Sequence, residues 1–223
     1  MKDYLPLRLK AVYDTVSSDL KGRLIDVGSD HGYLALYTLE QGTDRVVCTD
    51  IHKAPAEKTL KCLKDNGFED RSEVFCTDGL DGVELCDGDV IVMAGLGGNN
   101  MTDIMKRVVD GRDSNIVKSL VWCLQPQKSI DVLREFFSKE GFEITDERVC
   151  FDRGIFYPIV KAVYTGVPYE LSLSDKYYGK VFQKRFESKE KDVIEYFVRL
   201  DSRYKIRARG DGEVSELIKE RGL

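Results

Sequence analysis

Short apolar runs alternate with helically spaced ones through the first two thirds of the chain. Arg23-Leu24-Ile25-Asp26-Val27 has the density of a buried strand, followed by a glycine turn and a helical stretch, Tyr33 to Gln41. Arg45 to Thr49 predicts the next strand, then a helix from about Ala54 to Asn66 stopped by Gly67. Glu73 to Cys76 reads as a short strand and Asp89 to Ala94 as the clearest one, ending at Gly95. Met101 to Val109 is helical, Lys118 to Leu124 a strand, and Ile130 to Glu140 a helix closed by Gly141. Such alternation predicts parallel strands covered by helices on both faces. After Gly141 the helices stop. Phe142 to Cys150 and Phe156 to Tyr164 read as two strands joined by a turn at Asp152-Arg153-Gly154, an antiparallel hairpin on the sheet edge.

Gly166-Val167-Pro168 marks the expected boundary between a domain of residues 1–165 and a smaller one of residues 166–223. Beyond it Tyr177, Tyr178, Val181, Phe182, Phe186, Val193, Ile194, Phe197 and Val198 recur at helical spacing, and Val214 to Arg221 forms a last short helix. A helical hairpin or short coiled coil is expected there.

Composition is that of a globular protein, with 42% hydrophobic and 33% charged residues. No apolar run approaches the roughly 20 residues needed to cross a bilayer, and the start lacks a signal-peptide pattern. A cytoplasmic protein without membrane contact is expected. The six cysteines form no C-x-x-C pair and there are only two histidines, so no metal site is expected and reduced thiols are. The oligomeric state is unspecified, with a monomer favoured. The net charge of -5 argues against a generic nucleic-acid binder. Its distribution is uneven: residues 166–223 carry thirteen Lys and Arg against eleven Asp and Glu, leaving -7 on the first 165. The basic part, from Lys176 to Arg209, reads either as a solvated helix face or as a phosphate-binding surface.

Candidate chemistry lies where strands end. Asp26-Val27-Gly28-Ser29-Asp30-His31-Gly32 follows the first strand. Gly28 permits a sharp turn close to a ligand, and Asp26 can accept from an ammonium group or cap its own turn. The motif is not G-x-G-x-x-G. A carboxylate at Asp30 repels a pyrophosphate but suits a ligand carrying an ammonium and a sulfonium. Asp50 ends the second strand, where an acid binds a ribose diol or N-caps the next helix. Asp78-Gly79 follows the third, where a carboxylate could hold an adenine amino group or make a turn. Ala94-Gly95-Leu96-Gly97-Gly98-Asn99 follows the fourth. It lacks the Lys-Ser/Thr of a P-loop and the Asn/Asp-Pro-Pro-aromatic signature of many base methyltransferases.

Five parallel strands followed by a hairpin is the layout of class I methyltransferases. The run Asp26 to Leu34, the loop Ala94 to Gly98, Leu124-Gln125-Pro126 at the end of the fifth strand and Leu7-Arg8-Leu9 near the start resemble the bacterial tRNA (adenine-22 N1)-methyltransferase family, TrmK. The resemblance runs from about Leu5 to Tyr164. It implies a Rossmann-like class I methyltransferase sheet with a C-terminal helical domain, S-adenosyl-L-methionine as cofactor and tRNA as partner. It implies cofactor contacts from Asp26, Gly28, Asp50, Asp78, Gly79, Ala94, Gly95 and Gly97. His31 and Tyr33 would lie at the mouth, although a turn histidine and a core tyrosine are the plainer readings. Asp30 would stabilise the cationic product, and Arg8 and Gln125 would line the site or position the base. The alternatives are a methyltransferase acting on another RNA, a small molecule or a protein, and a nicotinamide-dependent oxidoreductase.

Overall fold

The computed structural model describes residues 4–223. The chain runs α1 (Leu7–Val16), β1 (Arg23–Val27), α2 (Tyr33–Glu40), β2 (Arg45–Asp50), α3 (Lys53–Asp65) and β3 (Ser72–Cys76). Then come β4 (Val90–Ala94), α4 (Gly98–Gly111), α5 (Ser114–Ser119), β5 (Val121–Gln125) and α6 (Ile130–Glu140). The hairpin β6 (Phe142–Asp152) and β7 (Ile155–Tyr164) precedes four helices: α7 (Leu173–Tyr178), α8 (Lys180–Glu187), α9 (Lys191–Arg207) and α10 (Gly212–Glu220).

The strands form one seven-stranded sheet in the order β3-β2-β1-β4-β5-β7-β6, the first five parallel and the last two antiparallel. This is the class I methyltransferase sheet. Strand alternation divides the core. Ile25, Val27, Ile91 and Met93 face α4 and α6, where Met101, Met105, Leu133 and Phe137 complete one cluster. Leu24, Val46, Cys48, Val90 and Val92 face the other way, against Val12 and Val16 of α1 and Leu34 and Leu39 of α2. Burial on both faces is why these strands read as continuous apolar runs. Asp26 lies on the α1–α2 face by the same period-two rule.

Arg23 opens β1 by donating through Nε and Nη2 to the two carboxylate oxygens of Asp89 at 2.9 and 2.7 Å, which pins β1 beside the entry to β4. The hairpin turn Arg153-Gly154 has φ of 49° and 83°, the sign pattern of the tight turn that matches strand twist. In the tail, Tyr177, Tyr178, Phe182, Phe197 and Leu217 form a third core packed on Val149 of β6 and Phe156 of β7. The tail is thus four helices, more than the helical pair expected from its apolar spacing: α8 and α9 pack on β6, α7 packs on α6 and α10 on α9. Gly179, at φ 86°, and Lys189, at φ 61°, interrupt the helices where the pattern alone ran on. Among the described residues no helix is long and apolar enough to cross a membrane, and no group of three metal-ligating side chains occurs.

Candidate active site

Strand order reverses between β1 and β4, and in open α/β sheets the crevice beyond the strand ends at such a point binds ligands. Two adjoining cavities occupy that crevice. The larger, about 640 Å³, spans the ends of β1 to β3 and is lined by Thr49, Asp50, Asp78, Gly79, Asp103 and Arg107, among others. The smaller, about 380 Å³, lies under α1 and is lined by Arg8, Asp26, His31, Tyr33, Ala94 and Gly95, among others. Gly28, Asp30 and Leu96 line both, so the two are halves of one groove.

The turn after β1 is fixed by backbone bonds. Gly28 N and Ser29 N both donate to Thr49 O, at 2.8 and 3.0 Å, and Gly32 N closes the turn on Ser29 O at 2.8 Å. Gly28, at φ 77°, occupies the left-handed region that L side chains rarely adopt, and it lies beside Leu96. Asp30 adopts φ 51° without being glycine, a conformation uncommon outside Asn, Asp and His, and it sits at the junction of the two cavities. Asp50 organises both neighbouring turns: its carboxylate accepts from Asp30 N at 3.3 Å and from His52 N at 2.9 Å. It still lines the larger cavity.

Asp26 is the electrostatic centre of the smaller cavity. It is 4% exposed, and its carboxylate accepts no hydrogen bond among the described residues. Burial, with the Asp50 charge adding to it, pushes its pKa from the ordinary 3.8 to about 7. A carboxylate kept in this state suits a cation. Thr49 Oγ1, near the end of β2, is likewise buried without a hydrogen-bond partner among the described residues and belongs to the wall of the larger cavity. Asp78 differs. Arg107 donates to its carboxylate at 2.9 Å and holds its pKa below the usual range.

The mouth is aromatic. His31 and Tyr33 stack with ring centroids 5.6 Å apart, and Tyr33 is 42% exposed. Asp30 Oδ2 lies 2.7 Å from His31 Nδ1, so the imidazole orientation is set by a carboxylate. Arg8 Nη1 donates to Gln125 Oε1 at 2.6 Å, and its guanidinium lies 5.6 Å from the Tyr157 ring centroid. Gly95 sits beside that guanidinium at φ 88°, a left-handed conformation that favours glycine.

Of the residues singled out from sequence, eight line the smaller cavity: Arg8, Asp26, Gly28, Asp30, His31, Tyr33, Ala94 and Gly95. Asp50, Asp78 and Gly79 line the larger one. Two fall outside both walls. Gln125 is fully buried, its carboxamide spent on Arg8 and on Pro126 O, where it anchors rather than lines. Gly97 lies on the far side of the loop, beside Lys128. Sequence reading did not single out Thr49, Leu96, Asp103, Arg107 or Gln127. Only Leu96 had a visible signal, its place within the glycine loop.

Residues 5–160 match the family model described as a methyltransferase domain, and the chain belongs to that family. Its relatives carry a narrower label. A Mycoplasma pneumoniae protein provisionally named a tRNA methyltransferase is 31% identical over 156 residues, covering 69% of this chain and 68% of that protein. The Bacillus subtilis tRNA (adenine(22)-N(1))-methyltransferase is 27% identical over 140 residues, covering 62% of this chain and 57% of that protein. The same fold recurs in a Streptococcus pneumoniae protein provisionally named a tRNA (m1A22) methyltransferase and solved with S-adenosyl-L-methionine. It superposes with a TM-score of 0.79 at 23% identity, covering 94% of this chain and 95% of that one.

Proposed function

We propose that this protein transfers a methyl group from S-adenosyl-L-methionine to N1 of an adenine in tRNA, at position 22. The observation that carries the reading is the split groove with the buried Asp26, unpartnered among the described residues, in its smaller half. The groove walls hold Asp26, Asp30, Asp50, Asp78 and Asp103 against Arg8 and Arg107. That balance disfavours a pyrophosphate and favours a ligand bearing an ammonium and a sulfonium. Thr49 Oγ1 offers such a ligand an unsatisfied polar atom. The named relatives supply the substrate class.

In this reading Asp26 holds the ammonium, Asp50 the ribose, and Gly79 and Leu96 the adenine ring in the larger cavity. The bound donor supplies an electrophilic methyl on a cationic sulfur. Adenine N1 carries a free lone pair at neutral pH, so the chain need not supply a strong base. Its task is to hold N1 in line with the donor. Tyr33 and His31 would stack the unstacked target base at the mouth. Asp30 would face the positive charge that develops on it. Arg8, fixed by Gln125 and Tyr157, would steady the base or its phosphate. Residues 1–165 would carry the donor and residues 166–223 would face the RNA.

Asp30→Ala should cut turnover roughly 10- to 100-fold while leaving donor affinity within twofold. Single-turnover assays and calorimetry on the same preparation check both. A matching fall in donor affinity would move Asp30 into the binding wall. The reading itself is tested by label transfer from methyl-labelled S-adenosyl-L-methionine to unmodified tRNA, with ribosomal RNA and a protein extract as parallel acceptors. Label in tRNA supports it, and label only in another acceptor removes the substrate assignment while sparing the methyltransferase.

A further inference from the structure

A third cavity, of about 440 Å³, separates the sheet from the tail. Its floor is Phe156, Tyr157 and Pro158 of β7. One wall is the loop after β5, with Gln127 and Lys128, and the other is α9, with Tyr196 and Arg203. Gln127 lines this cleft and also the smaller half of the donor groove, so the two spaces meet there. The Arg8 guanidinium over the Tyr157 ring forms the partition between them.

The cations of this region fall into two groups. Arg207 is held by Asp131 at 3.0 Å and Asp211 at 2.9 Å, Arg185 by Asp146 at 2.7 Å, and Lys176 by Glu135 and Glu213. These charges serve the fold. The Arg203 and Lys128 side chains make no ion pair or hydrogen bond among the described residues, and both are exposed on the cleft. Arg199, one helical turn before Arg203, is equally unpaired and lines a small recess of about 170 Å³ with Phe156 and Tyr196. An exposed apolar side chain stands on the rim: Ile155 is 48% exposed at the hairpin tip. Unpaired cations beside aromatic and apolar surface are the combination that binds single-stranded nucleic acid, with phosphate on the cation and base on the ring.

We propose that this cleft holds the nucleotide adjacent to the target adenine, its phosphate on Arg203 and Lys128 and its base against Tyr157. The inference rests on the tRNA reading and deepens it. A target base unstacked into the donor groove drags its neighbours out of the stack, and Gln127, which lines both spaces, marks where the strand would pass from one to the other. The cleft volume lies in the range of sites for ligands of nucleotide size. The tail then acts as the second jaw of a clamp on one strand as well as a surface for the tRNA body.

Arg203→Ala and Lys128→Ala should each raise KM for tRNA three- to tenfold, leave donor affinity unchanged and hold kcat within about twofold. Both side chains are exposed, so the melting temperature should match that of the parent protein. Each variant should lower the slope of log KM against log salt by about 0.7, the signature of one lost single-strand phosphate contact. Arg203→Lys, which keeps the charge, should recover most of the affinity. The decisive arm uses ligated tRNA with one neutral methylphosphonate at successive linkages flanking the target. One linkage should raise KM for the parent protein and add nothing in Arg203→Ala. Parent-like KM and salt slope in both alanine variants, or equal methylphosphonate penalties in parent and variant at every linkage, would overturn the cleft assignment alone. A parent protein that methylates no tRNA would overturn the substrate reading and this inference together.

Discussion

Asp26→Asn should raise the melting temperature of the ligand-free protein at pH 8 by several degrees and weaken S-adenosyl-L-methionine binding roughly 10- to 100-fold. The two effects share one cause. Asp26 is buried, unpartnered and beside Asp50, and its pKa stands near 7 rather than 3.8. At about 1.4 kcal/mol per tenfold change in proton affinity, its ionised form disfavours the folded state by on the order of 4 kcal/mol. The folded pKa is raised, so the native state binds the proton more tightly than the unfolded chain. The associated stability is fully present below pH 3.8 and is lost as pH rises through about 7. Asparagine keeps the shape without the charge, so its advantage should be largest at pH 8 and fade toward pH 4. For a chain of this size each kcal/mol moves the melting temperature by roughly 2–4 °C.

Ligand binding reverses the sign. The donor's ammonium requires the carboxylate, and a charge-assisted hydrogen bond contributes about 1.5–3 kcal/mol. Affinity of the parent protein should therefore rise as pH increases from 5.5 through about 7, with proton release on binding near pH 6.5. The asparagine variant should bind weakly and without pH dependence over that interval. Calorimetry in buffers of different ionisation enthalpy measures both. A parent affinity independent of pH would remove Asp26 from the donor site.

Arg134→Ala should be the most damaging single change outside the groove. Arg134 of α6 and Glu147 of β6 are both fully buried and paired at 2.8 Å. Arg134 also donates to the carbonyls of Lys176 and Tyr177, while Glu147 accepts from Val181 N and Phe182 N. The pair thus caps the end of α7 and the start of α8, clasping the tail to the sheet. Gly179 lies so close that a Cβ would stand 2.5 Å from both partners. Removing one partner strands a buried charge, at a loss of about 3–5 kcal/mol. The melting temperature should drop by roughly 10 °C. Donor affinity should survive below the transition, because none of these residues lines the groove. Arg134→Met with Glu147→Leu should melt well above either single alanine variant. A single variant that melts with the parent protein would show that the tail is held by its apolar contacts alone.

The sheet was legible because parallel strands buried on both faces must be apolar throughout, as Val90 to Ala94 is, and because glycines punctuate their ends. The hairpin was legible from the loss of helical spacing after Gly141. Helix α1 was not, since only Val12, Thr15 and Val16 of its ten residues are buried and no run stands out. The stretch before β5 misled for the opposite reason. Lys118 and Ser119 close α5, but they abut the apolar run and read as its beginning. In the site, residues fixed by position were visible: Gly28 and Asp30 follow β1, and Asp50 ends β2. Those defined by a distant partner were not. Nothing local shows that Arg107 holds Asp78, that Arg8 ties up Gln125, or that Arg134 meets Glu147 thirteen residues on. The basic tail was visible as composition, yet the division between structural cations such as Arg207 and unpaired ones such as Arg203 exists only in three dimensions.

The most direct test of the account is nucleoside mass spectrometry of two tRNA transcripts, identical except for adenine or guanine at position 22, after incubation with the protein and S-adenosyl-L-methionine. The account predicts 1-methyladenosine in the adenine transcript, mapped to that position, and none in the other. Equal methylation of both transcripts would contradict the assigned position, and no methylated nucleoside in either would contradict the substrate.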